Sequence, residues 1–142
     1  MAYAYEFSYK KEKRFRLEKS EAEYSDSQRR EYILDSPDIR VISPEIYNLF
    51  QHDHILEKCI YNAIIAIKDV LESKNFKVVD ILIYMALESD YDKPDIVLKF
   101  IVKNKEYKEI LKIWNKVANI PAKFLETIRD EYMNKIYVIL DD

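Results

Sequence analysis

The chain of 142 residues contains no glycine. Average usage of about 7% would supply roughly ten. Glycine takes positive φ at no steric cost and lets a backbone approach a phosphate closely. A Walker loop, a dinucleotide-binding G-x-G-x-x-G turn and a hydrolase nucleophile elbow all depend on it. The sequence therefore argues against those large nucleotide and hydrolase classes. Left-handed backbone positions must fall to Asn or Asp. Asn75, Asn104 and Asn119 stand where helices or strands should end.

Apolar residues make up 49% of the chain and charged residues 35%. That balance is globular, and the length suits one domain with room for a sizeable core. No apolar run reaches the roughly 18 residues of a membrane span. The opening stretch "MAYAYEFSYKKEKRFR" places aromatics before charges and has no apolar core, so it does not read as a signal peptide. The single Cys59 has no internal disulfide partner, and a reduced cytosol is the expected compartment. Lys exceeds Arg, Glu and Ile are plentiful, and Gln and Cys are scarce. This bias fits a thermophilic archaeon or its virus, and equally an AT-rich genome.

Residues 2–9, "AYAYEFSY", alternate with Tyr3, Tyr5, Phe7 and Tyr9 on one face. Period two predicts a strand. Residues 18–36 are polar and Ser/Glu-rich, so 1–36 reads as an extension and 37–142 as a single α+β domain. "DIRVIS" (38–43) suits a short strand. Ser43, Pro44 and Glu45 form a helix start, with a second possible start at Asp53. Leu56, Ile60, Ala63, Ile67 and Val70 then repeat at helical spacing, ending near Asn75. Val79, Ile81, Ile83, Met85 and Leu87 alternate, as do Ile96, Leu98, Phe100 and Val102. The turn-rich link "SDYDKPD" makes these two runs an antiparallel hairpin. Tyr107, Ile110, Leu111, Trp114 and Val117 predict a helix that buries Trp114 against the sheet. Pro121 opens another helix through about Tyr132, and "KIYVILDD" closes the chain as a strand. The expected fold is a small, mainly antiparallel sheet, the hairpin plus the C-terminal strand. Two or three helices cover it, and a strand-like extension precedes it.

"QHDHILEKC" (51–59) holds both histidines and the only cysteine. On one continuous helix His52 and His54 lie about 200° apart, and His52 and Cys59 are separated by roughly 10.5 Å of rise. Ligands about 2.0–2.3 Å from one zinc cannot be so placed. Only a break at Asp53 would turn His52 back, and a third ligand would still be missing. Cys59 reads as a small buried hydrophobe. No metal and no cofactor are expected. Glu88, Asp90, Asp92 and Asp95 resemble a cation loop only loosely, because an EF-hand needs glycine at its sixth position. Pro94-Asp95 followed by Glu106-Tyr107-Lys108 matches the short PD…(D/E)xK pattern of metal-dependent nucleases, but Glu106 and Lys108 open a helix. Neither histidine has an evident nucleophile or acid beside it.

The net charge is −3, against generic binding of polyanions or anionic membranes. The charge is uneven. Residues 1–19 carry Lys10, Lys11, Lys13, Arg14, Arg16 and Lys19 against Glu6, Glu12 and Glu18, six against three. Basic residues beside stacking aromatics could track single-stranded nucleic acid. The reading preferred is a non-enzymatic interaction or regulatory module, a homodimer self-associating through Tyr3, Tyr5, Phe7 and Tyr9, with another protein as a further possible partner. The alternatives are nucleic-acid contact through the basic arm and a nuclease-like enzyme using the hairpin acids.

Overall fold

The computed structural model describes residues 32–87, 93–103 and 105–142. Pro44 has its φ already set for a helix and no N–H to lose, and α1 spans Pro44–His52. Ser43 precedes it in an extended conformation, but its side chain caps nothing. Its hydroxyl oxygen accepts instead from the Met85 N–H at 2.8 Å, tying the helix start to the sheet. The break foreseen at Asp53 is real: α2 runs His54–Ser73, and Asp53 accepts from the Leu56 N–H at 3.0 Å as its N-cap. Its far end closes on Asn75, which stands at φ 66, the one left-handed residue among those described. The Phe76 N–H reaches back to the Leu71 carbonyl across that turn. Asparagine does here what glycine does in most chains. Asn119, by contrast, begins the six-residue α4 (Ile120–Leu125) with ordinary negative φ.

The strands are β1 (Ile39–Val41), β2 (Lys77–Met85), β3 (Ile96–Lys103) and β4 (Ile136–Asp141), ordered β1-β2-β3-β4. Only the central pair is antiparallel. β1 runs parallel to β2, and β4 parallel to β3. The sheet is thus mixed, and the expectation of a mainly antiparallel one is corrected. The cause lies in the connections. Each outer strand is joined to its neighbour through helices, α1 and α2 on one side, α3 (Tyr107–Val117) and α4 on the other. A helical crossover carries the chain back to the end of the sheet where the previous strand began, so the next strand lies parallel.

Period two in β2 is interrupted. The register slips between Val78 and Asp80, leaving Val79 as a bulge residue, 49% exposed. Val78 faces inward before the bulge, and Ile81 and Ile83 after it. Leu87 lies past the strand end in solvent. The single inward face drawn from Val79 to Leu87 therefore holds only for Ile81, Ile83 and the half-buried Met85. The inward residues of all four strands join Tyr47, Phe50, Leu56, Ile60, Ile64 and Ile67 in one core.

α3 is rotated relative to its sequence reading. Ile110, Ile113 and Val117 are buried, while Tyr107 and Leu111 face solvent and Trp114 is 39% exposed. Trp114 still touches the sheet, donating its indole N–H to the Val138 carbonyl at 2.7 Å. The stretch expected as one helix from Pro121 to Tyr132 is α4, then turns, then a short 3-10 turn at Asp130–Tyr132.

Ile33 and Leu34, assigned from sequence to the extension, are fully buried in the core. The Glu57 carboxylate holds them there. One oxygen accepts from the Tyr32, Ile33 and Leu34 N–H groups at 3.1, 2.8 and 3.1 Å. Glu57 is itself wholly buried. One turn further along α2, on the same face, Tyr61 packs on the Tyr32 ring with centroids 5.5 Å apart.

Candidate functional site

The histidine–cysteine stretch is dispersed by its helices. His52 Nδ1 lies 2.7 Å from the Asn48 carbonyl within α1, and His54 Nδ1 lies 3.4 Å from Glu57 Oε1. Cys59 faces the core, 5% exposed, and burial pushes its thiol up, away from the thiolate a nucleophile or ligand needs. The bend at Asp53 serves another purpose. Arg129 clamps the Asp53 carboxylate with two bonds, Nε to Oδ2 at 3.0 Å and the second nitrogen to Oδ1 at 3.2 Å. This pins the segment after α4 to the start of α2. No group of three or more His, Cys, Asp or Glu residues suited to a metal occurs among the described residues.

Burial raises the Asp53 carboxyl, but Arg129 and the backbone N–H groups of Leu56 and Ile55 outweigh it, and the group lies below its ordinary value. A depressed folded-state value stabilises the fold above the unfolded value and loses that stabilisation as pH falls through the folded one. Wild type should therefore exceed Arg129→Met in stability by a constant margin above about pH 5.5, and the margin should shrink below about pH 4. Urea titrations across that range check this. A margin unchanged at about pH 2.5 would mean that the ionised pair contributes nothing.

The nuclease-like pattern does not assemble. Asp95 precedes β3 and pairs with Lys135 at 3.6 Å, while Glu106 follows β3 and precedes α3. A strand of eight residues separates the two halves, roughly 26 Å. One metal cannot span that distance. Glu88, Asp90 and Asp92 lie outside the described residues, as do Tyr3, Tyr5, Phe7, Tyr9, Lys10, Lys11, Lys13, Arg14 and Arg16.

Two surfaces emerge that the sequence reading missed. The first is the outward face of the sheet. Register aligns Tyr84, Val97 and Tyr137 in one row and Leu82, Lys99 and Ile139 in the next. Ile101 follows between Asp80 and Asp141. Tyr137 and Ile139 are exposed, Leu82, Tyr84 and Ile101 half-buried. Two ion pairs stand among them, Arg40 with Asp80 and Lys99 with Asp141.

The second is a groove of about 310 Å³ beside the end of α2, lined by Lys74, Phe76, Lys105, Glu109, Lys112, Ile113 and Lys116. Phe76 and Ile113 form an apolar floor, and Lys105 Nζ lies 5.0 Å above the Phe76 ring. Glu109, Lys112 and Lys116 recur at helical spacing on α3, so half of this groove was present in the sequence as a stripe. Such a stripe reads as a solvated helix face until Lys74 and Phe76 arrive from another segment.

No family model, curated protein or solved structure matches the chain. Among the described residues no helix is long and apolar enough to cross a membrane.

Proposed function

We propose that the protein is a non-enzymatic interaction module that pairs with a second copy of itself through the outward sheet face, together with the aromatic residues Tyr3, Tyr5, Phe7 and Tyr9. The observation that carries this reading is the row Tyr84–Val97–Tyr137 beside Leu82, Ile101 and Ile139. Tyrosines and aliphatics dominate this face, with Lys99 the one charge inside it, a composition close to that of an interface core. Three strands about 4.8 Å apart and roughly six residues long make a patch on the order of 300 Å². A stable dimer hides about 800 Å² per partner. The face alone is too small, and the four aromatics of residues 3–9 supply apolar surface of the required kind. Its charges are paired within the chain, Arg40 with Asp80 and Lys99 with Asp141, so the face carries no net charge that would repel a second copy. Such a patch can meet its own copy about a two-fold axis.

Light scattering of the full chain at about 100 µM should give a dimer. Tyr84→Lys with Tyr137→Lys should give a folded monomer, because two buried like charges would oppose each other across the axis. Deletion of residues 1–17 should also weaken association. A monomeric wild type, or a double variant that dimerises unchanged, would overturn the reading.

A further inference from the structure

Ammonium groups gathered without counter-charges leave a positive potential that only salt and solvent screen. The groove at the end of α2 brings Lys74, Lys105, Lys112 and Lys116 together, with Glu109 as the single acid lining it. Beside Phe76, Lys77 stands opposite Lys103 in antiparallel register. Like charges so placed oppose strand pairing. None of these six lysines is in an ion pair with a described residue. Elsewhere among the described residues Arg40, Lys99, Arg129 and Lys135 have acidic partners, while Lys68, Lys93, Lys108 and Lys123 stand without one, as does Lys58, which lies over the Tyr32 ring. On a protein of net charge −3, a cluster of unpaired lysines is not explained by solubility.

We propose that this groove binds a compact polyphosphate anion, of the kind found in the tail of a nucleoside triphosphate or as free inorganic tripolyphosphate. Three features select that chemistry. No arginine lines the groove, so the planar fork that recognises a single carboxylate is missing, whereas lysine binds phosphate as a point charge. Four ammonium groups on one small concavity match a ligand of several negative charges better than a monoanion. The Phe76 ring, 6% exposed, is covered by Lys105 Nζ and offers no open platform for a base. Stacking platforms are what single-strand binding surfaces use, so the recognised part is the phosphate chain. The volume of about 310 Å³ sits at the lower end of small-molecule sites. A chain without glycine cannot build the usual backbone cradle for phosphate, and side-chain ammonium groups take its place. Glu109 opposes the ligand and sets a limit on affinity.

Calorimetric titration of the full chain with inorganic tripolyphosphate, ATP, AMP and a single-stranded oligothymidylate, at about 0.15 M salt, tests this. Tripolyphosphate and ATP should bind alike, and AMP at least roughly tenfold more weakly. Lys112→Glu with Lys116→Glu should weaken tripolyphosphate at least roughly tenfold, Glu109→Gln should tighten it severalfold, and Lys123→Glu should leave it unchanged. Lys112 and Lys116 are exposed, so their exchange leaves the core intact. Absence of binding at about 1 mM tripolyphosphate would overturn the proposal. So would tripolyphosphate binding that ignores the lysine changes, or oligothymidylate binding in the groove where tripolyphosphate does not bind.

Discussion

Replacing Glu57 by alanine should destabilise the protein by roughly 3–5 kcal/mol, the range for removing one side of a buried charged network. The carboxylate is fully buried and one of its oxygens collects three backbone N–H groups, those of Tyr32, Ile33 and Leu34. Truncation leaves these donors without an acceptor, and each buried orphan costs about 1–3 kcal/mol. Ile33 and Leu34 must then either stay in the core over unsatisfied amides or leave it and expose their own side chains. Glutamine keeps an oxygen in place and should cost less, roughly 1–2 kcal/mol, the difference between a charged and a neutral acceptor. Urea unfolding of both variants decides the matter. If alanine costs under about 1 kcal/mol, the 32–34 segment does not depend on the carboxylate. Hydrogen exchange gives an independent readout: the amides of Ile33 and Leu34 should lose protection first in Glu57→Ala.

Sequence periodicity located nearly every described element, and the errors have specific physical sources. The helix over 54–73 was legible because its apolar residues recur without interruption and Asp53 marks its start. Strand direction was not legible. Parallel or antiparallel order depends on where a crossover lands, and no residue within β4 encodes that. The parity of β2 failed at one residue, Val79, since a bulge without glycine leaves no mark in the pattern. On α3 the large residues misled. Tyr107, Leu111 and Trp114 join Ile110 and Val117 in one apolar series at helical spacing, yet of that series the helix turns only Ile110 and Val117 inward, together with Ile113. Amphipathic aromatics can rest at a boundary with one polar atom satisfied, as Trp114 does on the Val138 carbonyl. The role of Glu57 was hidden because its partners are main-chain amides some 23 to 25 residues away, and backbone donors are the same at every position. The groove was hidden because Lys74 and Phe76 reach α3 only through the fold.

Phe100→Ala should cost about 3–5 kcal/mol, and Trp114→Ala markedly less, roughly 1–2 kcal/mol, although tryptophan is the larger side chain. Phe100 sits at 0% exposure in the middle of β3, with Ile81 on one side of it and Leu140 on the other in register. Its removal opens a cavity whose walls are held by strand pairing on both sides and cannot close in. A void there combines lost transfer energy with lost contacts. Trp114 already leaves 39% of its surface in water, so truncation removes less buried area and opens a site that solvent can enter. What it does lose is the indole bond to the Val138 carbonyl, about 0.5–1.5 kcal/mol net. Water can replace that donor at an exposed boundary, which keeps the cost low. Ile113→Ala, one residue earlier on the buried stripe, should exceed Trp114→Ala with about 2–4 kcal/mol. Denaturant midpoints for the three variants test the orientation of α3 directly. A Trp114→Ala cost above that of Ile113→Ala would place the indole inside the core and turn the helix by about a quarter of its circumference. The lysine groove would then lose the alignment of Lys112 and Lys116 with Phe76, so this stability series also bears on the site.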